Sequence, residues 1–115
     1  MPFPNFISIG RESAMTAKIL IKRRFKAGHT PQIVALLNEI RTRAMHQTGY
    51  LYGETLVRKN YPNNMIVIST WRDLEAWHHW RDSDERRTFE SMLEVYQERP
   101  TDYDEYLLGS PLHQE

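Results

Sequence analysis

The chain has no cysteine. That excludes disulfides, thiolate chemistry, cysteine-held zinc and iron–sulfur clusters, and it fits the cytoplasm. Long apolar runs are also missing: none approaches the roughly 20 residues that span a bilayer. The opening Met1-Pro2-Phe3-Pro4-Asn5-Phe6 lacks a basic segment followed by an apolar stretch, so no signal peptide is expected. Net charge is absent as well, since 15 Lys and Arg balance 15 Asp and Glu. Such a surface exerts no long-range pull on nucleic acid or on an anionic membrane. The local basic run Lys22-Arg23-Arg24 reads as a solvated strand end. No Gly-rich phosphate loop, Ser-His-Asp order or cluster of metal carboxylates stands out. No metal or cofactor is therefore expected.

What is present suits one domain: 115 residues, 40% of them hydrophobic, can bury one modest core. Residues 1–15 hold two prolines and a glycine without a clear period and read as an N-terminal extension, in which Phe6-Ile7-Ser8-Ile9 could form a short strand. Residues 16–109 read as the folded domain and 110–115 as a tail. From residue 17 to 25 the odd positions are Ala, Ile, Ile, Arg and Phe, the alternation of a strand. Gly28-His29 turns the chain. Thr30 is a candidate helix cap with Pro31 behind it, and Ile33, Leu36, Leu37, Ile40 and Ala44 follow at helical spacing to about His46. Residues 50–59 read as a second strand, 60–64 as an Asn- and Pro-rich turn, and 65–71 as a third strand. Asp73 and Ser83 are candidate caps of two helical stretches. The first carries Leu74, Trp77 and Trp80, and the second carries Phe89, Met92, Leu93 and Tyr96. Residues 103–108 complete the order β-α-β-β-α-β, a ferredoxin-like α+β arrangement with an antiparallel sheet. Met65-Ile66-Val67-Ile68 is apolar on both faces. Helices can cover one face, and the chain has none to spare for the other, so a second subunit is expected there.

Residues 67–83, Val-Ile-Ser-Thr-Trp-Arg-Asp-Leu-Glu-Ala-Trp-His-His-Trp-Arg-Asp-Ser, resemble the hallmark of the antibiotic biosynthesis monooxygenase family: a hydrophobic strand ending in Trp, an acidic-Ala-aromatic step, then Trp and Ser. Gly49-Tyr50 with Gly53-Glu54-Thr55 resembles the family's second strand, and Arg99-Pro100-Thr101 before Tyr103 its approach to the last one. The likeness spans residues 17–108, about four fifths of the chain. It implies a homodimer in which two sheets face each other as an α+β barrel, with a pocket in each subunit between sheet and helices. One branch of the family oxidises polycyclic aromatic polyketides without metal or flavin, one acts on quinols, and one degrades haem. The haem branch uses an Asn on the first strand, the second Trp of the hallmark and a His ten residues later. Trp80 matches the Trp, Glu90 stands where the His would be, and no Asn lies between Thr16 and Lys26. Haem degradation is therefore disfavoured, and haem binding or degradation stands as the least favoured alternative.

The expected function is a cofactor-independent monooxygenase acting with dioxygen on a phenolic, quinol or polycyclic aromatic molecule, the alternative being a non-catalytic small-molecule-binding dimer. Such chemistry needs an apolar aromatic pocket, a base or hydrogen-bond acceptor, and shelter from water. Trp71, Trp77 and Trp80 are candidate pocket walls, with core packing as the plainer reading of Trp71 and Trp77. His78, on the flank of the buried helix face, is a candidate base. His79 points about 200 degrees away from Trp77 and should face solvent. His46 can simply meet the carbonyls that end its helix. Glu90 is the second candidate base, because a carboxylate in an apolar pocket would have a raised pKa; an exposed helix glutamate is the plainer reading. Tyr50 and Tyr52 are expected on one face of the second strand, at the substrate or at the dimer interface. Glu94, Glu98, Asp102, Asp104 and Glu105 read as solvated.

Overall fold

A computed structural model describes residues 15–109. The extension over residues 1–15, with the short strand expected in it, lies outside the described residues apart from Met15, as does the tail over 110–115. Strands β1 (Ala17–Arg24), β2 (Tyr50–Arg58), β3 (Tyr61–Trp71) and β4 (Asp102–Leu107) form one antiparallel sheet in the order β2-β3-β1-β4. Helix α1 (Thr30–Met45) links β1 to β2, and α2 (Leu74–Arg81) with α3 (Asp84–Glu94) links β3 to β4. This is the ferredoxin-like α+β fold, with its helices on one face of the sheet.

Local chemistry sets the boundaries. The Asp73 side chain accepts from the Ala76 amide at 2.9 Å, and the Ser83 hydroxyl accepts from that of Arg86 at 3.1 Å. Each satisfies one donor that a helix start leaves open. At α1 the cap position is His29 rather than Thr30, and no side chain caps it; Pro31 lies in the first turn, where its missing N–H matters least. Gly49 has φ +89° and stands so near α2 that a Cβ would come within 2.5 Å of Ala76 Cβ. Only glycine suits both demands.

The β2–β3 connection is tighter than the Asn- and Pro-rich segment suggests. Arg58 pairs with Tyr61, so Lys59 and Asn60 alone make the turn, Asn60 adopting φ 70°. Pro62, Asn63 and Asn64 sit in a register irregularity before Met65 rejoins Val57. A bulge of this kind tolerates a proline inside a strand.

The odd residues of β1 are buried: Ala17, Ile19 and Ile21, and Arg23 with them. Two apolar clusters fill the space beneath the helices. One joins Ile19, Ile21, Trp71, Trp77 and Trp80, and the other joins Phe25, Ile33 and Leu93. On the opposite face Leu20, Ile66 and Ile68 are half-buried, and Tyr52, Leu56 and Tyr106 are about half exposed. Among the described residues no element covers this face. No described helix is long and apolar enough to cross a membrane.

Candidate functional site

A cavity of about 270 Å³ lies between the sheet and the three helices. Its apolar wall comes from β3, α2 and α1, the last contributing Val34, Leu37, Ile40 and Ala44. Trp71 ends β3 fully buried, and its Nε1–H donates to Ser69 Oγ at 3.1 Å, two residues back on the same face. Trp77 and Trp80, three apart on α2, turn toward it. The Tyr50 ring meets Trp71 edge-on with centroids 5.2 Å apart, a favoured aromatic geometry. Burial raises the Tyr50 pKa, against a smaller opposing pull from Arg41. Gly53 makes room for that phenol, since a Cβ there would lie 2.6 Å from the Tyr50 hydroxyl.

The polar wall comes from β1, α3 and β4. Arg23 and Glu90 are both 6% exposed, and Arg23 Nη1 donates to Glu90 Oε2 at 2.8 Å. The same Nη1 lies 3.2 Å from Gln97 Oε1 and 3.0 Å from Thr101 Oγ1. The Thr101 hydroxyl donates in turn to Glu90. Arg86 Nη1 reaches Glu90 Oε1 at 3.5 Å and donates to the Tyr103 hydroxyl at 2.6 Å. Burial pushes the Glu90 pKa up, but the charge and hydrogen bond of Arg23, the Thr101 hydroxyl and the charge of Arg86 outweigh it and hold the pKa below its ordinary value. Burial, reinforced by the Glu90 charge, pushes the Tyr103 phenol up to about 12. The wall thus holds an ionised carboxylate and a neutral phenol at neutral pH.

Of the sequence candidates, Trp71, Trp77, Trp80, Tyr50 and Glu90 meet at the cavity, Trp71 and Trp77 as core side chains that expose almost no surface, while His78 and Tyr52 lie outside it. His78 Nε2 is 3.1 Å from Glu105 Oε2, in a group where that oxygen also accepts from Trp77 Nε1 at 2.8 Å and Arg81 Nη1 at 3.3 Å. Glu105 is therefore not simply solvated. Partial burial raises its pKa, but Trp77, His78 and Arg81 together bring it below the ordinary value. Tyr50 and Tyr52 do not share a face. Tyr50 pairs with Trp71 and Tyr52 with the next residue back, Thr70, so Leu51 is an extra residue that flips Tyr52 to the outer face. There its hydroxyl accepts from Lys18 Nζ at 3.0 Å, which lowers the Tyr52 pKa. Glu90 is buried rather than an exposed helix residue, yet its pKa moves opposite to the direction expected of a base in an apolar pocket, because two guanidinium groups flank it. His46 Nδ1 lies 2.7 Å from the Thr42 carbonyl oxygen, as a helix-ending histidine should, and His79 is exposed.

Arg23, Arg86 and Tyr103 were not singled out from the sequence as site residues. Strand alternation carried a signal for Arg23, which falls among the inward positions of β1. The run Lys22-Arg23-Arg24 is therefore not wholly a solvated strand end. Arg86 could have been found as the i−4 partner of Glu90 on α3.

Residues 16–91 match the antibiotic biosynthesis monooxygenase family, and the chain belongs to it. No curated protein matches the sequence. Among solved structures, the chain is similar to SnoaB, a cofactor-independent oxygenase from Streptomyces nogalater, with 12% identity, a TM-score of 0.74, and coverage of 88% of this chain and 100% of SnoaB. It is similar as well to a conserved protein from Methanosarcina mazei Go1, with 13% identity, a TM-score of 0.74, and coverage of 84% of this chain and 96% of that one. A third relative, protein SO0527 from Shewanella oneidensis, shares 16% identity at a TM-score of 0.71, covering 83% of this chain and 92% of its own. At these identities the likeness establishes the fold.

Proposed function

We propose that this chain is a homodimeric monooxygenase, working in the cytoplasm, that takes an electron-rich phenol, quinol or fused polycyclic aromatic into the cavity and oxygenates it with dioxygen, without a metal or flavin. The observation that carries the proposal is the cavity itself, a space of about 270 Å³ with tryptophan on one side and an ionic wall on the other. Its size is near the lower end of small-molecule sites and suits a few fused rings. The tryptophans would hold the ring system away from water, and the ionic wall would hold its oxygen. For a phenol with a hydrogen on the para carbon, the balance is direct. One dioxygen atom becomes the new carbonyl oxygen of a quinone, and the other leaves as water with two substrate hydrogens. The substrate supplies all four electrons.

The roles of the candidate bases change under this proposal. Glu90 is a weak base because it is held ionised, so it acts as an anchor of the wall. His78 would need to leave Glu105 to reach the cavity. The homodimer is supported by the apolar outer face of the sheet, where Leu20, Ile66 and Ile68 lie side by side.

Oxygen uptake with a panel of hydroxynaphthalenes, anthrones and hydroquinones, in metal-free buffer, tests the activity. At least one member should consume dioxygen above background, and Trp80→Ala should lower that rate. If no panel member does so, the oxygenase reading fails. A second reading, binding without turnover, draws on one specific observation: among the described residues no histidine lines the cavity. It predicts ligand-dependent rises in melting temperature without oxygen uptake.

A further inference from the structure

The polar wall carries more positive charge than its hydrogen bonds use. Arg23 and Arg86 share one carboxylate, that of Glu90, and the side chains of the three are 4%, 12% and 8% exposed. Two cations and one anion leave one positive charge in excess on this wall; the exposed Arg41 and Glu54, which also line the cavity, add one charge of each sign and leave the balance unchanged. An uncompensated buried charge is costly, and proteins rarely keep one without a counterion. Arg23 Nε adds an independent sign. Among the described residues it is the one buried side-chain nitrogen or oxygen atom with no hydrogen-bond partner. Buried donors are nearly always satisfied, so the fold leaves part of the Arg23 guanidinium's donor capacity unused.

We infer that the ionic wall is an anion site, and that the cavity selects aromatic molecules presenting a negatively charged oxygen, which meets the Arg23 and Arg86 guanidinium groups while the rings lie against the tryptophans. This rests on reading the cavity as the substrate site, and it names the substrate class. It also resolves the missing base. The Arg23 and Arg86 charges pull a phenol toward its ionised form, a pull they already exert on Tyr103 although burial and the Glu90 charge outweigh it there. A phenol bound against the guanidinium groups reacts with dioxygen as the phenolate they stabilise, its proton released to solvent. The charged oxygen could be this phenolate or a carboxylate on the ring system. Both present the same acceptor to a guanidinium.

Calorimetric titration with naphthoate and its neutral isostere naphthamide at neutral pH tests the inference without reference to turnover. Naphthoate should bind at least about tenfold more tightly. Arg86→Gln, which leaves Arg23 paired with Glu90, should remove most of that preference while still binding naphthamide. Glu90→Gln, which adds net positive charge, should widen it. Arg23→Gln should act like Arg86→Gln, but the other two variants decide the matter if it does not fold. Absorbance titration of bound naphthol then separates the two oxygen sources. A lowered phenol pKa assigns the phenolate, and an unmoved one with a strong naphthoate preference assigns the carboxylate. Equal binding of naphthoate and naphthamide by the native protein, binding of neither, or a preference unchanged in folded Arg86→Gln and Glu90→Gln would overturn the anion site. Oxygen uptake by the native protein would leave the oxygenase proposal standing in each of those cases.

Discussion

The two faces of the sheet break the usual partition of residues in opposite ways. The helix-covered face buries charge: Arg23 and Glu90 sit among tryptophans and aliphatic side chains. The outer face leaves apolar groups uncovered: Leu56, Tyr52 and Tyr106 are about half exposed beside Leu20, Ile66 and Ile68. Polar groups in the core and apolar patches outside are the informative exceptions to the inside–outside rule. Under the proposed function each face is completed from beyond the single chain, by a small molecule on one side and a second copy on the other.

The comparison can be broken most strongly at the covered face. Trp71→Ala should destabilise the fold by about 4 kcal/mol in denaturant unfolding, because it opens a large void where the sheet meets α2. Glu90→Ala should cost about 3 kcal/mol by leaving Arg23 and Arg86 without their carboxylate. Glu90 also fixes a pH signature. Its folded pKa lies below the ordinary 4.5, so its contribution is present above that value and is lost as pH falls toward and through the folded pKa. Urea unfolding between pH 6 and about 3 should show native stability declining with acid, and Glu90→Gln should flatten part of that decline.

The outer face should respond differently. Ile68→Glu should leave far-ultraviolet circular dichroism intact but convert a dimer to a monomer by light scattering at micromolar concentration; a native protein that is already monomeric would remove the partner from the account. Asp104→Asn breaks only the exposed pair with Lys22, 2.9 Å apart with both side chains about 40% exposed. It should give the smallest effect of these, a stability change within the error of urea unfolding.

Much of this arrangement was legible in the sequence, and the gaps have physical causes. Alternation in residues 17–25 gave β1 and its inward face, and Asp73 and Ser83 marked two helix starts correctly. The same alternation turned Arg23 inward, but its neighbours Lys22 and Arg24 made the three look like one solvated run. On α3 the hydrophobic spacing pointed to Phe89, Met92, Leu93 and Tyr96. The side that meets the sheet does carry Leu93, but beside it stand Arg86 and Glu90, with Gln97 just past the helix end. Met92 is 45% exposed, and Phe89 stacks under the Arg43 guanidinium at 4.7 Å. A buried face that is mostly polar cannot be found by counting apolar residues. The Leu51 bulge had no glycine or proline to announce it, so the separation of Tyr50 from Tyr52 emerged only from strand register.

The central claim is that the tryptophan-lined cavity is a place where an aromatic molecule is oxygenated. Mass spectrometry of the product formed under isotope-labelled dioxygen, in metal-free buffer, tests it most directly. The account predicts one labelled oxygen atom per product molecule, with dioxygen consumed in equal amount. A substrate that binds in the cavity and is recovered unlabelled and unchanged would contradict it.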